Sequence, residues 1–140
     1  MADPIDVTDQ DLDIAARTLD GEARGEPLEG QQGVAWVMRT RTTWSPPAWW
    51  GHTLSQVCTK PFQFSCWLGG PDTDHINALN PADAEYQAML VVIKSVMNGE
   101  IDDPTGGATH YEVIGTGPKW VIGRTPSAVI GHHAFYRIGP

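Results

Sequence analysis

Apolar residues recur at helical spacing in the first part of the chain. Behind Thr8 they stand three or four positions apart and form one stripe, made of Leu12, Ala15, Ala16, Leu19 and Ala23. Thr8 and Asp11 have the spacing of a capping box, with Asp in place of the usual Glu. The pattern predicts an amphipathic helix that begins beside Thr8 and ends before Gly25.

Two further helices follow from the same kind of pattern. One runs from about Pro27 to Thr42, with a largely buried side made of Val34, Ala35, Trp36, Val37 and Met38. The other is "NPADAEYQAMLVVIKSVMNG", in which we expect Asn80 as the cap, Pro81 as the first position and Gly99 in the stop signal.

The rest of the chain reads as loops and short strands. Residues 44–81 are rich in Pro, Gly, Asn and Asp and predict irregular structure, with one short helix near Thr53–Cys58. A loop region of this length tends to be functional. Two strands are predicted around Thr109–Ile114 and Ala134–Ile138. We therefore expect an α+β fold that is mostly helical and has a small antiparallel β-sheet, in a single domain over residues 1–140.

Composition narrows the classes of function. The formal net charge is −8, so binding of nucleic acid through a basic surface is not expected. The chain has no run of 18 apolar residues, which excludes a predicted membrane-spanning helix. Its first residues, "MADPIDVTDQ", lack the basic and apolar regions of a secretory signal. We expect a monomer that is made in the cytoplasm without a signal peptide.

The histidines and cysteines do not form a metal-binding pattern. His52, His75 and His110 lie in separate segments, and the neighbours His132 and His133 would point to opposite faces of a strand. We therefore expect no metal and no cofactor. Cys58 and Cys66 flank "TKPFQFS", and the sequence leaves open whether they form a disulfide or stay as two buried thiols.

The most suggestive acidic cluster is "GEARGE" at residues 21–26. Glu22 falls beside Ala15, at the edge of the apolar stripe, where partial shelter from water helps a carboxyl to keep the proton that a general acid needs. The alternative is a solvated last-turn residue or a partner of Arg24. Glu26 stands just before a helix start, where a carboxylate is favoured by the helix dipole, so we expect a structural role for it.

Four blocks of the sequence, in order, resemble the SleB/CwlJ-type cell wall hydrolases, which include spore-cortex-lytic enzymes and related phage endolysins. The blocks are "GEARGEPLEGQQGVAWVMRTR", "QFS", "DPTGGATHY" and "IGHHAFY". The resemblance spans residues 11–138. It implies a lysozyme-like fold and cleavage of the peptidoglycan glycan strand between N-acetylmuramic acid and N-acetylglucosamine.

The resemblance also implies site residues. The first glutamate of the "EARGE" block is catalytic in the family, which corresponds to Glu22, and Gln63, Ser65 and Tyr111 are implied as substrate-binding residues of the groove. Relatives act as lytic transglycosylases that leave 1,6-anhydromuramic ends. Alternatives are a muramidase or glucosaminidase that uses water, a non-catalytic wall-binding module whose tryptophans stack on sugars, and a metal-dependent amidase.

The chain differs from exported members of the family. It shows no attached peptidoglycan-binding repeat and no signal peptide. A leaderless catalytic domain suits a bacteriolytic phage endolysin that a holin releases to the wall, or a virion component, and we expect that localisation.

Overall fold

A computed structural model describes residues 2–44 and 49–139. These residues contain five α-helices, which are α1 Asp9–Ala23, α2 Leu28–Thr42, α3 Leu54–Thr59, α4 Gly70–Ala78 and α5 Ala84–Met97, and two short 3-10 helices, Ser65–Trp67 and Lys119–Val121. Three strands follow, which are β1 His110–Val113, β2 Ala128–Ile130 and β3 His133–Tyr136. Within these residues, the helices are too short or too polar to cross a bilayer. The prediction of a mostly helical α+β fold with a small antiparallel sheet is confirmed.

Helix α1 forms the centre of the fold. The capping box is present, because the Thr8 hydroxyl accepts the Asp11 amide and the Asp11 carboxylate accepts the Thr8 amide. Its apolar stripe is buried at every predicted position except Leu12, which is partly buried. The helix packs against α3, α4 and α5, so its last turn is held from several sides.

Helices α2 and α5 complete one hydrophobic core cluster with α1. The predicted apolar positions of α2 are buried, and so are Tyr86, Met89, Ile93, Val96 and Met97 of α5. Arg39 joins the two helices, because its guanidinium donates to the carbonyls of Val96 at 2.9 Å and Met97 at 3.0 Å. These carbonyls lie at the end of α5, where donors within the helix run out, and they also accept the amides of Gly99 at 3.1 Å and Ile5 at 3.0 Å.

Helix α4 and the 3-10 helix Ser65–Trp67 lie where the sequence predicted irregular loop, so that prediction is wrong for these residues. Their stability comes from distant partners. The Arg17 guanidinium donates to the carbonyls of Ile76 and Leu79 at the end of α4, at 2.7 and 2.8 Å. The Thr73 hydroxyl donates to the Cys66 carbonyl at 2.7 Å. Turn-forming residues are helical here because tertiary contacts outweigh their propensity. The predicted loop at 45–48 lies outside the described residues.

Helix α5 begins later than predicted. Asn80 is not its cap, since the helix starts at Ala84 behind Asp83. The preceding residues form a turn of their own, in which the Asn80 side chain accepts the Ala82 amide and the Asp83 carboxylate accepts the Asn80 amide, both at 2.9 Å. Short polar side chains compete with helix formation by such local bonds. The predicted stop is correct, because Gly99 has a positive φ of 75°.

The sheet has the strand order β1-β3-β2, and both pairs are antiparallel. Strands β1 and β3 were predicted, whereas the three-residue strand β2 was not. All four residues of β3 are buried because it is the central strand. Strand β2 carries no long alternating pattern and exists by pairing with β3. The sheet brings Tyr111 of β1 towards the end of α1.

Gly21 lets the 3-10 helix approach α1, and we expect Gly21→Ala to destabilise the protein. A Cβ at this position would lie 2.5 Å from the Cys66 Cβ and 3.1 Å from the Ile76 Cγ2. Overpacking of this kind costs ~1–3 kcal/mol. Gly25→Ala is the matched control, because a Cβ there meets nothing within 4 Å. Equal melting temperatures for the two variants would contradict the close approach.

Candidate active site

Glu22 lies in the last turn of α1 and is held by three donors from other elements. The Tyr111 hydroxyl donates to Glu22 Oε1 at 2.6 Å. The Cys66 amide donates to Glu22 Oε2 at 3.2 Å, and the Ser65 hydroxyl approaches the same oxygen at 3.4 Å. One oxygen therefore has a short bond, and the other has two longer ones. The carboxyl is partly buried and fixed in orientation.

The other members of this cluster are positioned by the fold. Ser65 and Cys66 belong to the 3-10 helix, whose Trp67 indole donates to the Thr18 hydroxyl of α1 at 2.9 Å. Tyr111 lies in β1, and its ring packs against His133 of β3 at 4.9 Å between centroids. Burial raises the pKa of Tyr111 well above its usual value, and the Glu22 charge adds to the shift. The Tyr111 hydroxyl thus keeps its proton and serves as a donor.

Arg41 is a buried cation next to this cluster, and the sequence analysis did not identify it. Its Nε donates to the Thr109 carbonyl at 2.8 Å, and its guanidinium lies 5.3 Å from the ring centres of both Trp50 and Phe64. Burial lowers its pKa to about 10, while the nearby Tyr111, Cys58 and Glu22 act in the opposite direction. Arg41 is therefore still charged at neutral pH.

A signal for Arg41 exists in the sequence. Arg41 continues the buried stripe of α2 through Val34 and Met38, at spacings of four and three residues. A charge on an apolar stripe marks a buried ion with partners. Arginine near a helix C-terminus is, however, also favoured by the helix dipole. A surface position for Arg41 was therefore equally consistent with the sequence.

Gln63 is placed differently from the other candidates. Its side-chain oxygen lies 3.4 Å from Arg41 Nη1, in a long hydrogen bond. Hydrogen bonds to Glu22 come from Ser65, Cys66 and Tyr111, and Gln63 is not among these donors. The structure thus brings Ser65 and Tyr111 to Glu22 and places Gln63 beside Arg41.

Glu26 does not cap α2. The predicted structural role at the start of that helix is therefore wrong, and Glu26 binds His132 instead. Pro27 is the cap residue and makes no side-chain cap bond. The Glu26 carboxylate instead accepts the His132 amide and contacts the His132 Nδ1, both at 2.7 Å, and the His133 Nδ1 lies 3.5 Å away. Burial acts to raise the pKa of Glu26, but the bonds from His132 outweigh it and lower the pKa.

The two histidines also differ from the sequence prediction. His132 precedes β3, so its ring and that of His133 both approach the Glu26 carboxylate and do not point to opposite faces of a strand. His133 is buried and packs against Tyr111, which holds Glu22. Glu26 therefore contacts His133, and His133 in turn packs against the ring of Tyr111.

The cysteines are both free and buried. Burial raises the pKa of the Cys58 thiol to about 12, and burial also raises the pKa of the Cys66 thiol. Such thiols react slowly in the folded protein. We expect titration of unfolded, unreduced protein with a thiol reagent to find two thiols. A count of zero would show a disulfide and contradict the structure.

The tryptophans have mixed roles. Trp36 and Trp50 are core residues, whereas Trp49 is 56% exposed. Trp50, His110 and Trp120 follow one another at ring distances of 6.1 and 5.4 Å, in a row that begins next to Arg41. Core packing explains the buried members of the set, and Trp49 keeps an apolar face available to solvent.

Comparisons with known proteins agree with this architecture. A family model described as Cell Wall Hydrolase matches residues 25–136. The spore cortex-lytic enzyme of Halalkalibacterium halodurans is 32% identical over 133 residues, which are 94% of this chain and 36% of that protein. The spore cortex-lytic enzyme of Bacillus cereus is 33% identical over 133 residues, 94% of this chain and 46% of that protein.

Two solved structures have a similar fold. The catalytic domain of the Bacillus cereus SleB protein has a TM-score of 0.72 at 30% identity, covering 96% of this chain and 95% of that one. The catalytic domain of the germination-specific lytic transglycosylase SleB from Bacillus anthracis has a TM-score of 0.71 at 30% identity, covering 96% and 99%.

The fold is thus that of SleB catalytic domains, and the matching family model is that of cell wall hydrolases. The chain belongs to the cell wall hydrolase family, of the SleB type. The predicted family and the predicted enzyme class are confirmed. The chain spans less than half the length of the curated relatives it matches, at 36% and 46% of the first two. The family match begins three residues after Glu22.

The predicted localisation is wrong. The relatives are spore cortex-lytic enzymes, and the similar structures are catalytic domains of SleB, a germination-specific enzyme in Bacillus anthracis. They are not endolysins that a holin releases or virion components. The first residues of the sequence gave a misleading signal, because the region similar to this chain is only part of longer relatives.

Proposed function

We propose that this chain is a peptidoglycan lytic transglycosylase domain that cleaves the bond between N-acetylmuramic acid and N-acetylglucosamine. One observation carries the proposal, which is the oriented carboxyl of Glu22 between Tyr111, Ser65 and the Cys66 amide. The similar structure from Bacillus anthracis is a lytic transglycosylase. We further propose that residues 1–140 form one catalytic domain, which the single core cluster supports.

Glu22 is proposed to act as both acid and base. Its Oε1 is engaged by the short bond from Tyr111, whereas Oε2 has only the longer contacts from Cys66 and Ser65, so we assign to Oε2 the transfer of a proton to the departing glucosamine oxygen. The bond from the muramic acid C1 to that oxygen breaks, and an oxocarbenium-like centre develops. The C6 hydroxyl of the same sugar then attacks C1, and its proton returns to Glu22. No water is consumed.

The other side chains have supporting roles in this proposal. Tyr111 and Ser65 orient the carboxyl and border the glycan strand, and Gln63 contacts substrate from its place beside Arg41. A fixed arrangement of donors stabilises developing charge because it needs no reorganisation during the reaction. Glu26 is not the second carboxylate of a hydrolase in this scheme, since its oxygens are bound by His132.

The test uses purified sacculi and separates the enzyme from its rivals. We expect the chain to lower the turbidity of sacculi and to release muropeptides with intact stem peptides, with chelator present or absent. A wall-binding module would sediment with sacculi and leave the turbidity unchanged. Release of free peptides from intact glycan strands would show an amidase. Either result would contradict the proposed function.

A further inference from the structure

A second cluster of ionisable side chains lies on the side of α1 that packs against α4 and α5. It consists of Asp20 from α1, His75 from α4 and Glu85 from α5. Asp20 Oδ2 lies 3.3 Å from His75 Nε2, and the same nitrogen lies 2.7 Å from Glu85 Oε2. One ligand atom from each residue lies within 4.8 Å of the others. The three helices therefore present one imidazole nitrogen and two carboxylates to a common point.

Asp20 is the unusual member of the cluster. Its side chain has 0% exposure, yet within residues 2–44 and 49–139 neither carboxylate oxygen accepts a hydrogen bond. Arg24 Nη1 makes a long ion pair with Asp20 Oδ2 at 3.6 Å, and the same guanidinium also approaches Asp72 at 3.8 Å. A buried carboxylate without bonded partners is costly unless a cation accompanies it. Arg24 is shared with Asp72 and makes only this long ion pair, so the cluster can still accommodate one more cation.

The electrostatics of the cluster agree with this need. Burial raises the pKa of Asp20, and the charge of Glu85 raises it further, while His75 and Arg24 act in the opposite direction. The two carboxylates thus repel each other beside the same nitrogen of the His75 ring. A metal ion would remove this repulsion, because it binds both carboxylates in their charged form.

We propose that Asp20, His75 and Glu85 bind one divalent transition ion, with Zn²⁺ as the best match. Imidazole nitrogen and carboxylate oxygen are common zinc ligands, at about 2.0–2.2 Å, and water completes a tetrahedral site. Ligand atoms on such an ion are about 3.4 Å apart. The Asp20–His75 separation of 3.3 Å already fits. His75 and Glu85, each 39% exposed, need to separate by less than an ångström from 2.7 Å.

The position of the site gives it a structural role. Asp20 stands two residues before Glu22 in the same helix. An ion shared by α1, α4 and α5 would fix the last turn of α1 against two neighbours, and with it the backbone that carries Glu22. It takes no part in the transglycosylation steps. The expected effect is therefore on stability and on metal affinity.

The test measures binding without any activity assay. Tag-free full chain is titrated with ZnCl₂ by calorimetry, and we expect one site per chain. At a zinc concentration of a hundred times Kd, the melting temperature should rise by roughly 9 °C, given the entropy of unfolding typical for this length. Replacement of Zn²⁺ by Co²⁺ should give the visible absorption bands of a tetrahedral site.

Variants decide whether the bound ion lies in this cluster. Asp20→Asn, His75→Gln and Glu85→Gln should each lower zinc affinity at least tenfold, and Glu85 is exposed enough that its variant tests the site without disturbing the core. His52→Gln and Glu29→Gln are matched controls at exposed positions and should bind as the parent does. Absence of saturable one-to-one binding would overturn the proposal. Equal binding by Glu85→Gln and the parent would overturn it as well.

Discussion

Glu22→Gln should fold normally and lose nearly all lytic activity. The amide keeps the shape of the side chain and its place near Tyr111, but it has no proton to give to the leaving oxygen. General acid–base catalysis contributes about 10²–10⁴-fold, so the initial rate of turbidity loss of sacculi should fall by a factor of about 10² or more. The melting temperature should stay close to that of the parent.

Two matched variants make the result specific. Glu29→Gln changes an exposed glutamate in the first turn of α2 and should leave the rate unchanged. Glu26→Gln weakens the contacts to His132 and should lower the stability more than the rate at a temperature where it is folded. If Glu22→Gln clears sacculi at the parental rate while Glu26→Gln is inactive, the acid is Glu26 and the assignment is wrong.

Arg41→Met should produce a large loss of stability. Methionine fills much of the space, but the Thr109 carbonyl would lose its donor and the rings of Trp50 and Phe64 would lose a cation. A buried acceptor without a partner costs ~1–3 kcal/mol, and each cation–π contact adds ~0.5–2 kcal/mol. A net loss of ~3 kcal/mol lowers the melting temperature of a chain of this length by about 10 °C.

Arg124→Met is the control, because Arg124 is exposed and its side chain donates to the Trp120 carbonyl at the surface. Arg41→Lys is a useful intermediate. It keeps the charge but loses the planar group that reaches Thr109 and Gln63 together, so it should recover only part of the stability. Thermal unfolding measures all three variants. A melting temperature for Arg41→Met equal to that of Arg124→Met would contradict the structural role of Arg41.

Local signals explain which helices could be predicted. Helix α1 can be predicted from the Thr8–Asp11 capping box and an apolar stripe. Both features lie within the sequence of the helix and its cap. Helix α4 has no such signal. Only Ile76 of its nine residues is buried, and its end is held by Arg17 from another helix. A helix that depends on a distant side chain is not visible in its own sequence.

The candidate site divides in the same way. The position of Glu22 at the edge of the apolar stripe follows from helical periodicity, whereas its contact with Tyr111 joins residues 89 positions apart and requires the folded sheet. Arg41 could not be assigned from the sequence, because an arginine in the last turn of a helix is also favoured by the helix dipole. The cluster of Asp20, His75 and Glu85 comes from three helices, so no spacing rule for metal ligands could find it.

The central claim is that Glu22 is the one acid–base group and that the nucleophile is the substrate's own C6 hydroxyl. Tethering of this hydroxyl to the reacting sugar supplies several kcal/mol through effective molarity. Mass spectrometry of the first muropeptides released from sacculi tests the claim most directly. The account predicts 1,6-anhydromuramic ends, one water lighter than the hydrolysed form and resistant to borohydride. Reducing muramic acid ends as the main initial product would contradict it and show that water is the nucleophile.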